Sequence, residues 1–154
     1  MMKRTLLVLF ICLLPFAAAR ERAYLGLRFS VASPLYTSDG VLSLGLQAGL
    51  QVGDTLEVRA ALESSLLDSL AYADVLYVQR LDDTLRAYVG AGPEYASFSL
   101  GGASGSTGSY GVHLTAGLEA TDVVGVFAEV QPALAFASSS LWVRFSAGFN
   151  YHFE

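Results

Sequence analysis

Apolar and polar residues alternate with a period of two along most of the stretch from Ala23 to Phe153, interrupted at intervals by turn residues. The chain is 53% hydrophobic and only 15% charged, against about 25% charged in a typical soluble domain. Nothing after the N-terminus offers the roughly 18 consecutive apolar residues of a membrane-crossing helix. Together these observations predict an all-β fold, an eight-stranded antiparallel up-and-down transmembrane β-barrel whose apolar residues occupy alternate strand positions. The length, 154 residues, is that of one domain.

The first 19 residues read as a secretory signal peptide, leaving 20–154 as the barrel domain. Lys3 and Arg4 supply the positive start, and residues 6–14 form an apolar stretch too short to span a bilayer. Pro15 breaks that stretch, and Ala17, Ala18 and Ala19 offer the small side chains needed for cleavage before Arg20. The single cysteine, Cys12, lies inside the apolar stretch. Leu9, Phe10 and Ile11 before it lack the small residues of a lipidation site. Cleavage would leave no cysteine, hence no disulfide and no thiol chemistry. It would also remove Lys3, the only lysine, leaving an acidic chain without basic clusters. That charge pattern argues against nucleic acid as a partner.

Seven strands sort cleanly by parity, since a strand sends successive side chains to opposite faces. The first sets Leu25, Leu27, Phe29 and Val31 against Gly26, Arg28 and Ser30. The second sets Leu42, Leu44, Leu46, Ala48 and Leu50 against Ser43, Gly45, Gln47, Gly49 and Gln51. In the third, Leu56, Val58, Ala60 and Leu62 oppose Glu57, Arg59 and Glu63. In the fifth, Leu85, Ala87 and Val89 oppose Arg86, Tyr88 and Gly90. The sixth places Tyr110, Val112, Leu114, Ala116 and Leu118 opposite Gly111, His113, Thr115, Gly117 and Glu119. The seventh places Val126, Ala128, Val130 and Leu134 opposite Phe127, Glu129 and Gln131. The last runs from Leu141 to Phe153, with Trp142, Arg144, Ser146, Gly148, Asn150 and His152 on its polar side. The fourth, 71–81, is apolar on both parities: Val75 and Tyr77 mark one face, Leu76 and Val78 the other. A β-bulge there would reconcile them.

Tight turns are expected at Gly53-Asp54, at Asp82-Asp83 and after Thr121-Asp122. Loops are expected over 33–40, near Asp68, over the Gly/Ser-rich 97–109 and over 137–140. Short links at one end and mostly longer ones at the other match an up-and-down barrel. The polar face is built of Gly, Ser, Gln, Thr, Arg and Glu without lysine, whereas the apolar face carries almost no charge. A water-facing exterior would invert that, so the apolar face is expected to meet lipid. Leu44, Leu114 and Phe145 are on it; Gly45 and Gly117 line the lumen. Tyr24, Tyr72, Tyr95, Tyr110, Phe136, Tyr151 and Phe153 lie toward strand ends as candidates for interfacial girdles.

The final strand, with Phe149, Tyr151 and Phe153, resembles the terminal strand of outer-membrane barrels, with Glu154 displacing Phe from the last position. The mature chain as a whole resembles the eight-stranded OmpA-like and OmpW-like families. That resemblance implies residence in the bacterial outer membrane among its lipids, as a monomer, with the barrel-assembly machinery engaged during biogenesis.

No catalytic, cofactor-binding or metal-binding residue is assigned, and no cofactor is expected. His113, Thr115 and Glu119 faintly resemble the His, Ser and Glu set of lipid A-deacylating barrels, but Thr replaces Ser and a lumen position denies access to substrate. His113 and His152 stand on different strands and make no metal motif. Gly101, Gly102 and Gly105 lack the lysine of a phosphate-binding loop. Glu57 and Glu63 flank Arg59 on one face, which suggests an ion network rather than an acid/base pair. Arg86, Arg144, Glu119 and Glu129 share that parity and are expected to join it. The expected role is therefore a non-enzymatic envelope or surface protein. The alternatives are an OmpW-like carrier or narrow channel for small apolar molecules and, less favoured, a lipid A-modifying enzyme. The signal-peptide reading predicts a mature N-terminus at or near Arg20; N-terminal sequencing of the membrane-extracted protein that returned Met1 would refute it.

Overall fold

The computed structural model describes residues 23–35, 40–65, 68–99 and 106–153. The predicted signal peptide, its cleavage site and Glu154 lie outside these residues, as does the Gly101, Gly102 and Gly105 cluster. Eight strands follow in chain order: β1 (Ala23–Pro34), β2 (Val41–Val52), β3 (Leu56–Ser64), β4 (Asp68–Arg80), β5 (Leu85–Ser99), β6 (Ser106–Ala120), β7 (Val124–Ala135) and β8 (Ser140–His152). Each is antiparallel to its chain neighbours, and β1 pairs with β8 from Tyr24↔His152 to Pro34↔Trp142, closing the barrel. Closure leaves no sheet edge, the condition for burying a β-sheet in hydrocarbon.

Links 53–55, 81–84 and 121–123 close one end, which also holds the start of β1 and the end of β8. Gly53 takes a φ of 75°, the left-handed region that a side chain would resist. In the 81–84 turn the Asp82 carboxylate accepts the Thr84 and Leu85 N–H groups, both at 2.7 Å, and the Thr84 hydroxyl. These donors hold Asp82 below the usual carboxylate range. At the opposite, loop end, the sequence-predicted 97–109 loop is shorter than expected. Pairing continues through Ser97↔Gly108, Phe98↔Thr107 and Ser99↔Ser106, so β5 and β6 extend the wall as a long hairpin.

The expected bulge in β4 does not occur. Its register with β3 and β5 is constant from end to end, from Asp68↔Phe98 to Arg80↔Arg86 and from Leu56↔Tyr77 to Ser64↔Ser69. The double apolar parity has another cause: Leu76 and Val78 point into the barrel and pack with Tyr88 as a small internal apolar cluster. The ladders are interrupted opposite two of the three strand prolines, Pro93 and Pro132. Bridges are missing between Ala73–Asp74 and Gly92–Pro93, and between Leu114–Thr115 and Gln131–Pro132. Proline brings no N–H to a ladder, yet the register resumes unchanged beyond each gap.

The burial pattern is inverted relative to a soluble protein. Leu44, Leu114 and Phe145 are 54%, 61% and 61% exposed, whereas Arg28 and Glu119 are 0% and 1% exposed. No charged residue occupies an outward strand position among the described residues; the polar side chains there, such as Ser64, Ser69 and Gln79, lie toward strand ends. The girdle expectation needs correction at two positions. Tyr95, Tyr110 and Phe136 are exposed at the loop end, and Tyr151 and Phe153 at the turn end. Tyr24 and Tyr72 instead point inward and are buried, because they share parity with Arg28 and Asp74. Glycines make room for such inward rings. A Cβ at Gly117 would lie within 2.6 Å of the Tyr88 ring, so β6 carries no side chain where that ring crosses it.

Arginine at Leu44, Leu114 or Phe145, each outward and inside the apolar belt, should cost about 2–4 kcal/mol of folding stability in lipid. Urea unfolding in vesicles measures it. Costs near zero at all three positions would contradict the placement of the apolar belt.

Candidate functional site

The inward parity of the strands concentrates nearly all the described strand charges in the lumen. There the side chains form a cross-strand network in which each guanidinium meets a carboxylate. Arg86 donates Nε and Nη2 to Glu119 at 2.9 and 2.5 Å, and Nη1 to Glu57 at 2.8 Å. Arg59 donates Nε and Nη2 to Asp74 at 2.8 and 2.6 Å, and Nη1 to Glu129 at 2.6 Å. Arg28 reaches Glu129 at 2.5 Å, Gln47 at 2.9 Å and Ser146 at 2.7 Å, and its Nε lies 2.8 Å from Glu63. Arg144 donates to Gln131 at 2.7 Å and Glu94 at 3.2 Å. Bringing an ion out of water costs several kcal/mol, and only dense pairing of this kind offsets it.

Aromatic rings complete the packing. Tyr24, Tyr72 and Tyr88 donate hydroxyl hydrogens to Glu57, Glu63 and Glu129. Their faces also lie 5.0–5.8 Å from guanidinium carbons: Arg28 and Arg144 over Tyr72, Arg59 over Tyr88, and Arg86 over Tyr24. Each ring thus meets positive charge on its face and negative charge at its hydroxyl.

The predicted participants Arg59, Arg86, Arg144, Glu57, Glu63, Glu119 and Glu129 all belong to the network, but not in the pairing their spacing suggested. Arg59 contacts neither Glu57 nor Glu63 on its own strand; those carboxylates meet Arg86 and Arg28, and Arg59 meets Asp74 and Glu129. Side chains two apart on a strand project in parallel, while the neighbouring and opposite walls converge on the axis. Arg28 was legible as an inward residue, but its central place was not. Asp74 and Glu94 went unread because β4 hid its parity and because the alternation of β5 was followed only as far as Gly90. Extended across Pro93, it places Glu94 inside.

His113 and Thr115 do share a site with a carboxylate, but it is Asp74. His113 Nε2 makes a close hydrogen bond with Asp74, and the Thr115 hydroxyl donates to the same carboxylate at 3.3 Å. Glu119 is elsewhere, held by Arg86, Asn150 and His152. Acyl transfer needs a hydroxyl within reach of the imidazole and of substrate. Here both hydroxyl and imidazole turn to Asp74, and all three residues are buried. Among the described residues no group of three or more His, Cys, Asp or Glu side chains is placed to hold a metal ion. Space remains at the two mouths: a cavity of about 370 Å³ at the turn end, rimmed by Asp54, Asp83 and Asp122, and one of about 90 Å³ at the loop end.

A closed eight-stranded sheet with a charge-paired interior and an uncharged apolar exterior has the fold of the small outer-membrane β-barrels. No protein-family model matches the chain, and no curated protein matches it in sequence. Fifteen solved chains match it in structure. The N-terminal β-barrel domain of Pseudomonas aeruginosa OprF superposes with a TM-score of 0.63 at 16% identity, covering 83% of this chain and 97% of that domain. Neisserial surface protein A gives 0.66 at 18%, covering 85% and 96%, and Ail, the attachment invasion locus protein of Yersinia pestis, gives 0.51 at 18%, covering 84% and 95%. At these identities the likeness is one of fold.

Replacing Arg59 by Met should strand Asp74 and Glu129 at a cost of about 3–5 kcal/mol. Combined with Glu129→Gln in a double-mutant cycle, it should show a coupling of about 0.5–3 kcal/mol. Additive effects in urea unfolding would mean that the pair is not coupled.

Proposed function

We propose that the protein is a non-enzymatic integral protein of the bacterial outer membrane with a structural or surface-interaction role. One observation carries this reading: the outer wall bears no charge on its described strands, while most charged strand side chains are paired inside. Such a molecule is stable only where hydrocarbon surrounds it. The eight-stranded bore supports the functional half of the proposal, because side chains fill it. The cavities lie at the mouths, with the network between them, which disfavours a carrier or channel. The enclosure of His113, Thr115 and Asp74 disfavours an enzyme of envelope lipid. Contact with the outside would fall to the loop end, above all to the β5–β6 hairpin. The outward Phe149, Tyr151 and Phe153 of β8 are the residues that barrel-assembly machinery would read, and the continuous apolar belt suits a monomer ringed by lipid.

The protein should fractionate with outer membranes and shift its gel mobility on boiling. In planar bilayers the folded protein should show little or no steady ion conductance. Large, stable conductance steps would overturn the plugged lumen and promote the channel alternative.

A further inference from the structure

The lumen is polar along most of its length, but its uppermost tier is not. At the loop-end mouth, inward positions become small or apolar: Ala32, Leu70, Ala96, Ala135 and Trp142. They surround the cup of about 90 Å³, whose floor is Glu63, Glu94 and Arg144 and whose wall carries Asp68. The floor charges are accounted for. Glu63 meets Arg28 at 2.8 Å and Glu94 meets Arg144 at 3.2 Å. Asp68 meets no cation among the described residues; only its backbone is tied down, through Ser65. Among the described residues, Arg28, Arg59, Arg86 and Arg144 are committed to the network and Arg80 lies at the other mouth.

We propose that this cup binds a small primary alkylammonium ion. The ammonium pairs with Asp68, with Glu94 nearby, and the alkyl chain lies along Leu70 and the small side chains toward Trp142. Charge complementarity selects the cation: the one carboxylate of the cup that meets no cation among the described residues stands beside Leu70, Ala96 and Trp142, where an ion pair is less screened than at an open surface. The indole of Trp142, from β8 on the wall opposite β4, offers a face that attracts ammonium groups. Size limits the chain. The cup is smaller than the ~150 Å³ apolar cavity that accepts benzene, which suits about four or five heavy atoms. Binding at the mouth requires no passage through the lumen, so the site is compatible with a sealed barrel.

Trp142 is the only tryptophan, so its fluorescence reports on this site. The test titrates the full chain, folded in non-ionic detergent micelles, with n-butylammonium, using 1-butanol and butyrate as controls. The expected result is a saturable change with butylammonium, binding of 1-butanol at least about fivefold weaker, and no response to butyrate. Asp68→Asn should weaken butylammonium binding by about fivefold or more while leaving the boiling-dependent gel shift intact. Glu94→Gln, which touches Arg144, is the secondary variant and should weaken binding less. A linear response common to all three probes would indicate partition into the micelle and overturn the proposal. So would 1-butanol binding as tightly as the amine, or Asp68→Asn binding like the parent.

Discussion

Every feature of this barrel follows from placing a polar backbone in a medium that cannot hydrogen-bond to it. The sheet must close, and once closed it divides the side chains into two populations that never mix. The outward set can be uniformly apolar and needs no mutual fit beyond covering the wall. The inward set has a harder task. A bore of eight strands is too narrow to stay wet along its length, so the residues there must satisfy one another. The chain meets this with long charged side chains that reach across the axis, and with rings that touch both signs of charge. Arg59, rooted on β3, holds Asp74 of β4 beside it and Glu129 of β7 across the bore. Such contacts fasten walls that share no backbone ladder. The strands are thus joined twice, by hydrogen bonds around the circumference and by ion pairs through the middle.

The circumference was legible in the sequence and the middle was not. Parity is a one-dimensional signal that survives in any strand, so β1, β2, β3, β5 as far as Gly90, β6, β7 and β8 could be sorted residue by residue. It failed where a lumen residue was itself apolar. Leu76 and Val78 broke the expected polarity of β4, and a bulge offered itself as the explanation; the unbroken register excludes it. Tyr24 and Tyr72 misled for the same reason, since an aromatic near a strand end suits a girdle as well as a lumen, and parity with Arg28 and Asp74 decides between them. The partners of each charge were beyond reach. Which carboxylate an arginine meets depends on strand tilt and on the reach of its side chain across the bore, neither of which leaves a mark on local spacing. Position along the chain made Glu57 and Glu63 look like the natural neighbours of Arg59, and both turned elsewhere.

The His113, Thr115 and Asp74 cluster shows how far residue types alone can mislead. Imidazole, hydroxyl and carboxylate are the groups of a hydrolytic site, and the fold brings all three together. Their orientation decides the outcome: the carboxylate is the shared acceptor, and hydroxyl and imidazole both face it instead of each other. The cluster links β4 to β6 on the inner side of the wall, close to where the β4–β5 and β6–β7 ladders lose their bridges. Side-chain bonding there supports the wall where the backbone ladder is interrupted.

The seam between β1 and β8 has a topological consequence. Ala23 and Phe153 share a backbone hydrogen bond of 2.9 Å, and the seam extends over a run of paired residues as regular as those of the other strand pairs. In space the barrel is therefore a closed ring of eight antiparallel strand pairs, and the β1–β8 ladder is as continuous as those joined by a turn. A circularly permuted chain, joined across this seam and cut at a loop, would preserve every strand pair and every lumen contact. Ring order defines the equilibrium structure.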